Sequence, residues 1–451
     1  MYISAIQKTV SYNHRRKQMK KPEDENKDLA ALTEFAAVSL PALFQEETYF
    51  LRSSSPSGIV KIGEKVTFTL SGKVPSPVKY FLLEKYVNGM KKSEKILPAD
   101  NFPPIVMKGK EPGSLTATIK KLDANRQAFP GTAVVGDGVL IEPEKLLPAR
   151  KLPSDFAQFW QKNLSLLAAV PMEAERKKVA LPPEEKGLVC EDVRIRSLGE
   201  IPVTGYLVMP ENAPERSLPA IVCYHGAGYK SSTMQFEFGR NAIVLDANAH
   251  GLENGREKEY YLELNKLPCC VIRDRDSLEK SYVKYMFLRT VRALDFVKSL
   301  PQWDGKNLIV WGRSQGGTQS LAAAALCKEV SLCVSNVPAL GDHAGKTVHR
   351  QPGWPVLNGR AGERIRKVSD YVDIVNLATL VECPSYLSAG LMDLICPATS
   401  IALVKNQMKK GVCRELNLFP CMGHHAPGKM DKRDMILHLC ANERKKNTKL
   451  K

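Results

Sequence analysis

From Gly58 to Ile141, apolar and polar residues alternate in short runs. Lys65-Val66-Thr67-Phe68-Thr69-Leu70 places Val66, Phe68 and Leu70 on one face, the period-two pattern of a half-buried strand. Val78–Leu83, Ser114–Ile119, Thr132–Val135 and Val139–Ile141 are further short strand candidates, and Asn88-Gly89 is a turn signal between two runs. The pattern predicts a small all-β, immunoglobulin-like sandwich over residues 51–148. No cysteine lies in that stretch, so a core disulfide is excluded. The Pro-rich segment Glu142–Pro148 closes the unit.

The rhythm then changes. Ser154 or Asp155 can cap a helix that buries Phe156, Phe159 and Trp160. Val189–Arg196 and Val203–Met209 read as an antiparallel opening. From Pro219 strands and helices alternate. The strand candidates are Ala220–Tyr224, Ala242–Leu245, Leu308–Trp311, Leu332–Ser335, Ser385–Ser388 and Glu415–Leu418. Each is a short apolar run, as in strands buried on both faces of a parallel sheet. Helical patterns lie between them, one from about Tyr282 to Leu300 and one over Leu321–Leu326. This predicts a doubly wound, mostly parallel α/β domain over residues 149–442, followed by a basic flexible tail over 443–451.

Composition narrows the class. Hydrophobic residues are 43% of the 451 and charged residues 25%, an ordinary globular balance. No run approaches the roughly 20 apolar residues of a membrane-spanning helix, so an integral membrane segment is not expected. Residues 1–50 read as a loose leader. Residues 29–44 are Ala/Leu-rich like a signal core, but Glu34 interrupts them and an acidic stretch precedes them. A degenerate signal segment and an amphipathic helix both fit, and a secreted or periplasmic location is favoured over a cytoplasmic one. The eleven cysteines all lie from Cys190 onward, and the vicinal Cys269-Cys270 pair lacks a CxxC partner, so neither a disulfide scaffold nor a metal site is expected.

The net charge of +17 invites a nucleic-acid reading. Residues 1–28 carry +3 and residues 443–451 carry +4, which leaves +10 on the body. No zinc-finger spacing or aromatic RNA-binding motif accompanies the charge, so nucleic acid is not expected. A basic body would suit an anionic polysaccharide nearby.

The chemistry centres on Gly312-Arg313-Ser314-Gln315-Gly316-Gly317. A GxSxG match alone is weak, but this one follows a strand candidate directly and precedes a small-residue helix. That is the strand–turn–helix context of a nucleophile elbow. A serine hydroxyl needs a base, and the base needs an orienting carboxylate. In the hydrolase order Ser, Asp, His, the strand end Ser388–Leu391 leads to Asp393. Leu418–Gly423 then leads to His424, which is preferred to His425 as base. Two backbone donors for an oxyanion are expected at Gln315, after the nucleophile, and at Ala227 (with Gly226 as the alternative) in the loop His225-Gly226-Ala227-Gly228. His225 suits loop shaping better than catalysis. The pocket candidates are His225, Gly226, His425 and Trp354.

The catalytic half resembles the acetyl xylan esterase / cephalosporin C deacetylase family of α/β-hydrolases. The similar segments are Asp155-Phe156 with Phe159-Trp160, Tyr224-His225-Gly226, Arg289–Leu294, Gly312–Gly317, Asn336-Val337-Pro338, Gly390–Pro397 and Gly423-His424. The resemblance implies Ser314 as nucleophile, Asp393 and His424 as its partners, and Ala227 and Gln315 as oxyanion donors. It implies hydrolysis of acetyl esters on carbohydrate, with no metal or organic cofactor. There are departures. Members commonly carry Arg-Gly-Gln where this chain has Asn248-Ala249-His250, and His-Glu where it has His424-His425. A tyrosine often stands at the position of Ala227. An acyl-CoA thioesterase on the same fold is the alternative, and an inactive glycan-binding homologue a further one. The roughly 140 residues ahead of the catalytic half are too few for a multi-bladed β-propeller, which argues against a prolyl-oligopeptidase-like enzyme.

Overall fold

A computed structural model describes residues 48–130, 134–267, 269–357, 362–424 and 432–449. The leader to residue 47, Thr132 and Ala133 of one strand candidate, and His425 lie outside the described residues.

The leading unit contains β1 (Tyr49–Ser53), β2 (Ile59–Val60), β3 (Lys65–Gly72), β4 (Tyr80–Val87), β5 (Met90–Pro98), β6 (Ile105–Lys108), β7 (Gly113–Leu122) and β8 (Val135–Ile141). They form a three-stranded sheet, β1-β3-β6, and a five-stranded sheet, β2-β8-β7-β4-β5. The inward residues of both sheets share one core, with Tyr49, Leu51, Phe68, Phe81, Leu115, Ile119 and Val139 among them. Asn88 and Gly89 turn β4 into β5 with φ of 54° and 73°, two left-handed positions, as a tight hairpin of matching twist requires. β8 is buried along its whole length. Val139 and Ile141 face the core of this unit, while Leu140 between them belongs to the larger core of the rest of the chain.

A short 3-10 turn, Pro143–Lys145, leads to α1 (Phe156–Ala168). Phe156, Trp160 and Leu167 are buried on α1, and Phe159 packs half-buried beside them. Asp155 holds the N-cap position, but its Oδ1 accepts from the Tyr371 hydroxyl at 2.5 Å instead of capping the helix.

The main sheet is built from β9 (Ala174–Lys178), β10 (Leu188–Ile195), β11 (Val203–Pro210), β12 (Leu218–Tyr224), β13 (Ile243–Asn248), β14 (Trp303–Arg313), β15 (Leu332–Asn336), β16 (Ser385–Gly390) and β17 (Cys413–Phe419). Their order is β17-β16-β15-β14-β12-β13-β11-β10-β9. Strands β13 to β17 pair in parallel, and β11, β10 and β9 continue antiparallel. Successive residues of β12 divide between the two faces: Ala220, Val222 and Tyr224 enter one core, Ile221 and Cys223 another. The larger face is covered by α1, α4 (Tyr282–Lys298) and α5 (Gln315–Leu326), with α2 (Phe236–Gly239) and α3 (Lys258–Asn265) lying between α1 and α4 in the chain. Further along come α6 (Glu363–Val372), α7 (Ile374–Leu377) and α8 (Ala398–Gln407). On the opposite face Phe238 of α2 meets Ile436 and Cys440 of α9 (Arg433–Lys449).

The basic stretch from 443, expected as a tail, lies within α9 as far as Lys449. Arg444 donates to the Arg240 carbonyl, which ties this end to α2. All eleven cysteines are free thiols, including the adjacent Cys269 and Cys270. Among the described residues no helix is long and apolar enough to cross a membrane.

The chain runs from β12 to β13 on one side and then returns to β14 on the other. Such a reversal of strand order marks the place at the C-terminal edge where open α/β sheets bind their ligands.

Candidate active site

The turn between β14 and α5 carries Ser314 at φ 57°, ψ −122°. Such backbone is unfavourable for a residue with a Cβ and needs firm surroundings. They are present. The Ser314 N–H donates to the Asn336 carbonyl at 2.9 Å, and the Ser314 carbonyl accepts from Thr318 and Ala339 N–H groups at 3.0 and 3.2 Å. The flanking glycines are required by space. A Cβ on Gly316 would lie 1.9 Å from the Tyr224 carbonyl oxygen, and one on Gly312 2.3 Å from that of Gly316. Strand, turn and helix thus approach closely around Ser314, which is half-buried.

His424 and Asp393 arrive from two other strand ends. Asp393 follows β16, and His424 follows β17. His424 Nε2 lies 2.8 Å from Ser314 Oγ, and its Nδ1 lies 2.8 Å from Asp393 Oδ2. A carboxylate only accepts, so Nδ1 carries the proton, and Nε2 is left to accept from the serine hydroxyl. The other carboxylate oxygen, Asp393 Oδ1, accepts from the Ile395 and Cys396 N–H groups at 2.8 and 2.9 Å. Asp393 is thus fully engaged at 4% exposure. Burial of His424 disfavours its charged form. The adjoining Asp393 carboxylate outweighs burial and, with the Cys396 thiol, holds the imidazole pKa well above 6.5.

The loop after β12 lies beside the elbow. A Cβ built on Gly226 would sit 3.6 Å from the Arg313 carbonyl oxygen and 3.8 Å from Ser314 Cβ. Ala227 is exposed next to it, while Gln315 is buried at the start of α5, where the first N–H groups of a helix have no intrahelical acceptor. His225 Nδ1 donates to the Gly226 carbonyl at 2.7 Å. Burial pushes this imidazole down to about 3, so it is a neutral ring that shapes the loop. Trp354 acts through its backbone: its N–H donates to Ile395 and its carbonyl accepts from Leu340, both at 2.8 Å, so it braces the Asp393 loop.

The contacts of three groups of residues escaped the sequence reading, although the residues lie in segments it quoted. Asn336 joins three strand ends: its carbonyl holds Ser314, its Oδ1 accepts from Ser388 Oγ at 3.0 Å, and its Nδ2 donates to Gly312. Arg313, inside the elbow motif, donates from Nη2 to the His424 carbonyl. Behind the β12 loop, His250 Nδ1 lies 2.6 Å from the Tyr282 hydroxyl and 3.2 Å from the Cys270 thiol, fully packed and held neutral by burial. Arg313 stood inside the elbow motif, Asn336 in a segment of the resemblance and His250 in a departure from it, but none of these placements gave a role. Their roles depend on contacts across strands.

A serine on a strained strand–helix turn, at the switch point of a mostly parallel sheet, defines the class as an α/β-hydrolase. The structure aligns with the acetyl xylan esterase from Paenibacillus sp. R4 at TM-score 0.56 and 22% identity, covering 67% of this chain and 98% of that one. It aligns with acetyl xylan esterase 1 from Thermoanaerobacterium sp. JW/SL YS485 at TM-score 0.54 and 21% identity, again covering 67% and 98%. The sequence model of the acetyl xylan esterase (AXE1) family matches residues 139–352 and 355–441, and the chain belongs to that family. Acetyl esterase Axe7A of Xylanibacter ruminicola is 34% identical over 279 residues, which cover 58% of this chain and 62% of the relative.

Proposed function

We propose that this protein is a serine esterase that removes acetyl groups from carbohydrate, such as acetylated xylan or its oligosaccharides, through an acyl-enzyme. The observation that carries the reading is the continuous contact from Ser314 Oγ through His424 to Asp393, 2.8 Å at each step, on a backbone that exposes the serine. Membership of the acetyl xylan esterase family supports the substrate class.

Ser314 Oγ attacks the acetyl carbonyl carbon as His424 Nε2 takes its proton. Asp393 keeps the imidazole in the required tautomer and stabilises its positive charge. The N–H groups of Gln315 and Ala227 receive the oxyanion at the helix start. The tetrahedral intermediate collapses, His424 protonates the departing sugar oxygen, and an acetyl-Ser314 ester remains. Water then attacks this ester with His424 again as base, which releases acetate and restores the serine.

Replacing Ser314 by Ala and following acetate release from acetylated xylo-oligosaccharide tests the reading. We expect a loss of about 10³-fold or more in kcat with the fold intact. Retained turnover would overturn it. The same panel run with acyl-CoA separates the carbohydrate esterase from a thioesterase on the same fold.

A further inference from the structure

We infer that Asp137, in the leading two-sheet unit, is a positioning residue for the triad, its buried carboxylate fixing the loop that delivers His424. The inference rests on the Ser314–His424–Asp393 reading above.

Asp137 lies in β8 at 2% exposure. A carboxylate at that depth is costly unless its oxygens are satisfied. Its partners are backbone N–H groups from three separate segments. Oδ2 accepts from Ser53 at the end of β1, at 2.8 Å. Oδ1 accepts from Gly138 at 2.8 Å and from Cys421 at 2.9 Å. One side chain therefore joins both sheets of the leading unit to the loop between β17 and His424.

Cys421 is where that loop most needs a clamp. It stands three residues before His424 at φ 57°, a left-handed position held by a residue with a Cβ. Asp137 grips its N–H, and its thiol rests 3.7 Å from the Leu51 carbonyl of β1. The next residue, Met422, accepts from the Met392 N–H at 3.0 Å, and Phe419 accepts from Leu391 at 3.1 Å, so the His424 and Asp393 loops are laced together.

The Asp393 loop is seated on the same strands. Thr116 Oγ1 of β7 donates to the Leu391 carbonyl at 3.4 Å. A Cβ on Gly138 would lie 1.9 Å from that carbonyl oxygen, and one on Gly58 2.3 Å from Leu391 Cδ1. Both loops bearing the partners of Ser314 thus rest on the leading unit. From the other side Arg313 holds the His424 carbonyl. The family match begins at residue 139, two residues after Asp137, so this anchor is an addition outside the matched region.

The test uses the full-length chain. A displacement of about 1 Å at a catalytic group can cost on the order of 10²-fold in rate. We expect Asp137→Ala to lower kcat for p-nitrophenyl acetate by about 10- to 100-fold, with KM changed less than about 2-fold. Asp137→Asn should fall between, since its amide keeps one acceptor oxygen and turns a donor toward the remaining N–H groups. Thr116→Val, which spares Asp137, should lower kcat severalfold and keeps the idea testable where Asp137→Ala fails to fold. Asn406→Ala is the control. It removes the Nδ2 bonds to the Pro143 and Leu146 carbonyls, another tie to the leading unit that touches neither loop. It should leave kcat unchanged. Wild-type kcat in Asp137→Ala, an effect on KM alone, or an equal kcat loss in Asn406→Ala would overturn the positioning role. Ser314→Ala belongs in the same panel. A dead Ser314→Ala beside a fully active Asp137→Ala refutes only the positioning role, whereas an active Ser314→Ala refutes the triad and this inference together.

Discussion

At the scale of single residues, the site depends on which proton sits where. Asp393 raises the affinity of His424 for a proton, against the effect of burial. In the proposed mechanism the attacking step needs the neutral ring. Activity should therefore rise with pH through a value above 6.5, the ordinary imidazole figure. Asp393→Asn removes the negative charge that favours the protonated ring, so the acid limb of kcat/KM should move to lower pH. The same change permits the wrong tautomer, so kcat should drop by about 10⁴-fold. A pH–rate profile of both proteins checks the pair of effects. An unmoved limb with unchanged kcat would remove Asp393 from the assignment. That Ser314, Asp393 and His424 meet was legible because each follows an apolar strand run in the order the proposed chemistry needs. Arg313 and Asp137 were not. Their contacts with the His424 loop cross 111 and 284 residues of sequence, which no local pattern encodes.

At the scale of elements, period-two runs marked strands of the leading unit, short continuous apolar runs the parallel strands, and a small-residue stretch the elbow helix. β9 went unread because Ala174–Lys178 is exposed at all five positions and has no apolar stripe. It is the outer strand of the sheet, where charged side chains discourage pairing with another chain. The basic C-terminal end was read as solvated tail for the same reason: charge alone does not tell a loose terminus from the polar end of a docked helix. The elbow gives the clearest prediction at this scale. Gly316→Ala would drive its Cβ to 1.9 Å from the Tyr224 carbonyl oxygen, where only backbone movement gives relief. We expect a loss of about 3 kcal/mol or more in unfolding free energy, measured by denaturant titration, together with loss of hydrolysis. A stable, active Gly316→Ala would mean that β12, β14 and α5 do not approach as described.

At the scale of the whole molecule, the division into a β unit and an α/β unit was visible as a change of rhythm near residue 142. Their interdependence was not. In sequence β8 reads as two short candidates, one ending at Val135 and one beginning at Val139, yet it is one strand in which Leu140 is buried in the main core while Val139 and Ile141 fill the smaller one. A strand shared between two cores has no signature of its own, because both faces select for apolar or small residues. β8 therefore ties the leading unit to the core of the main sheet. The charge of +17, the most conspicuous bulk property of the chain, has no part in the triad. What unites the account is one activated serine. Incubating the full chain with a fluorophosphonate and mapping the adduct by peptide mass spectrometry tests this most directly. The account requires a single stoichiometric adduct on Ser314, absent from Ser314→Ala and slowed in His424→Ala. No adduct, or an adduct on another residue, would contradict it.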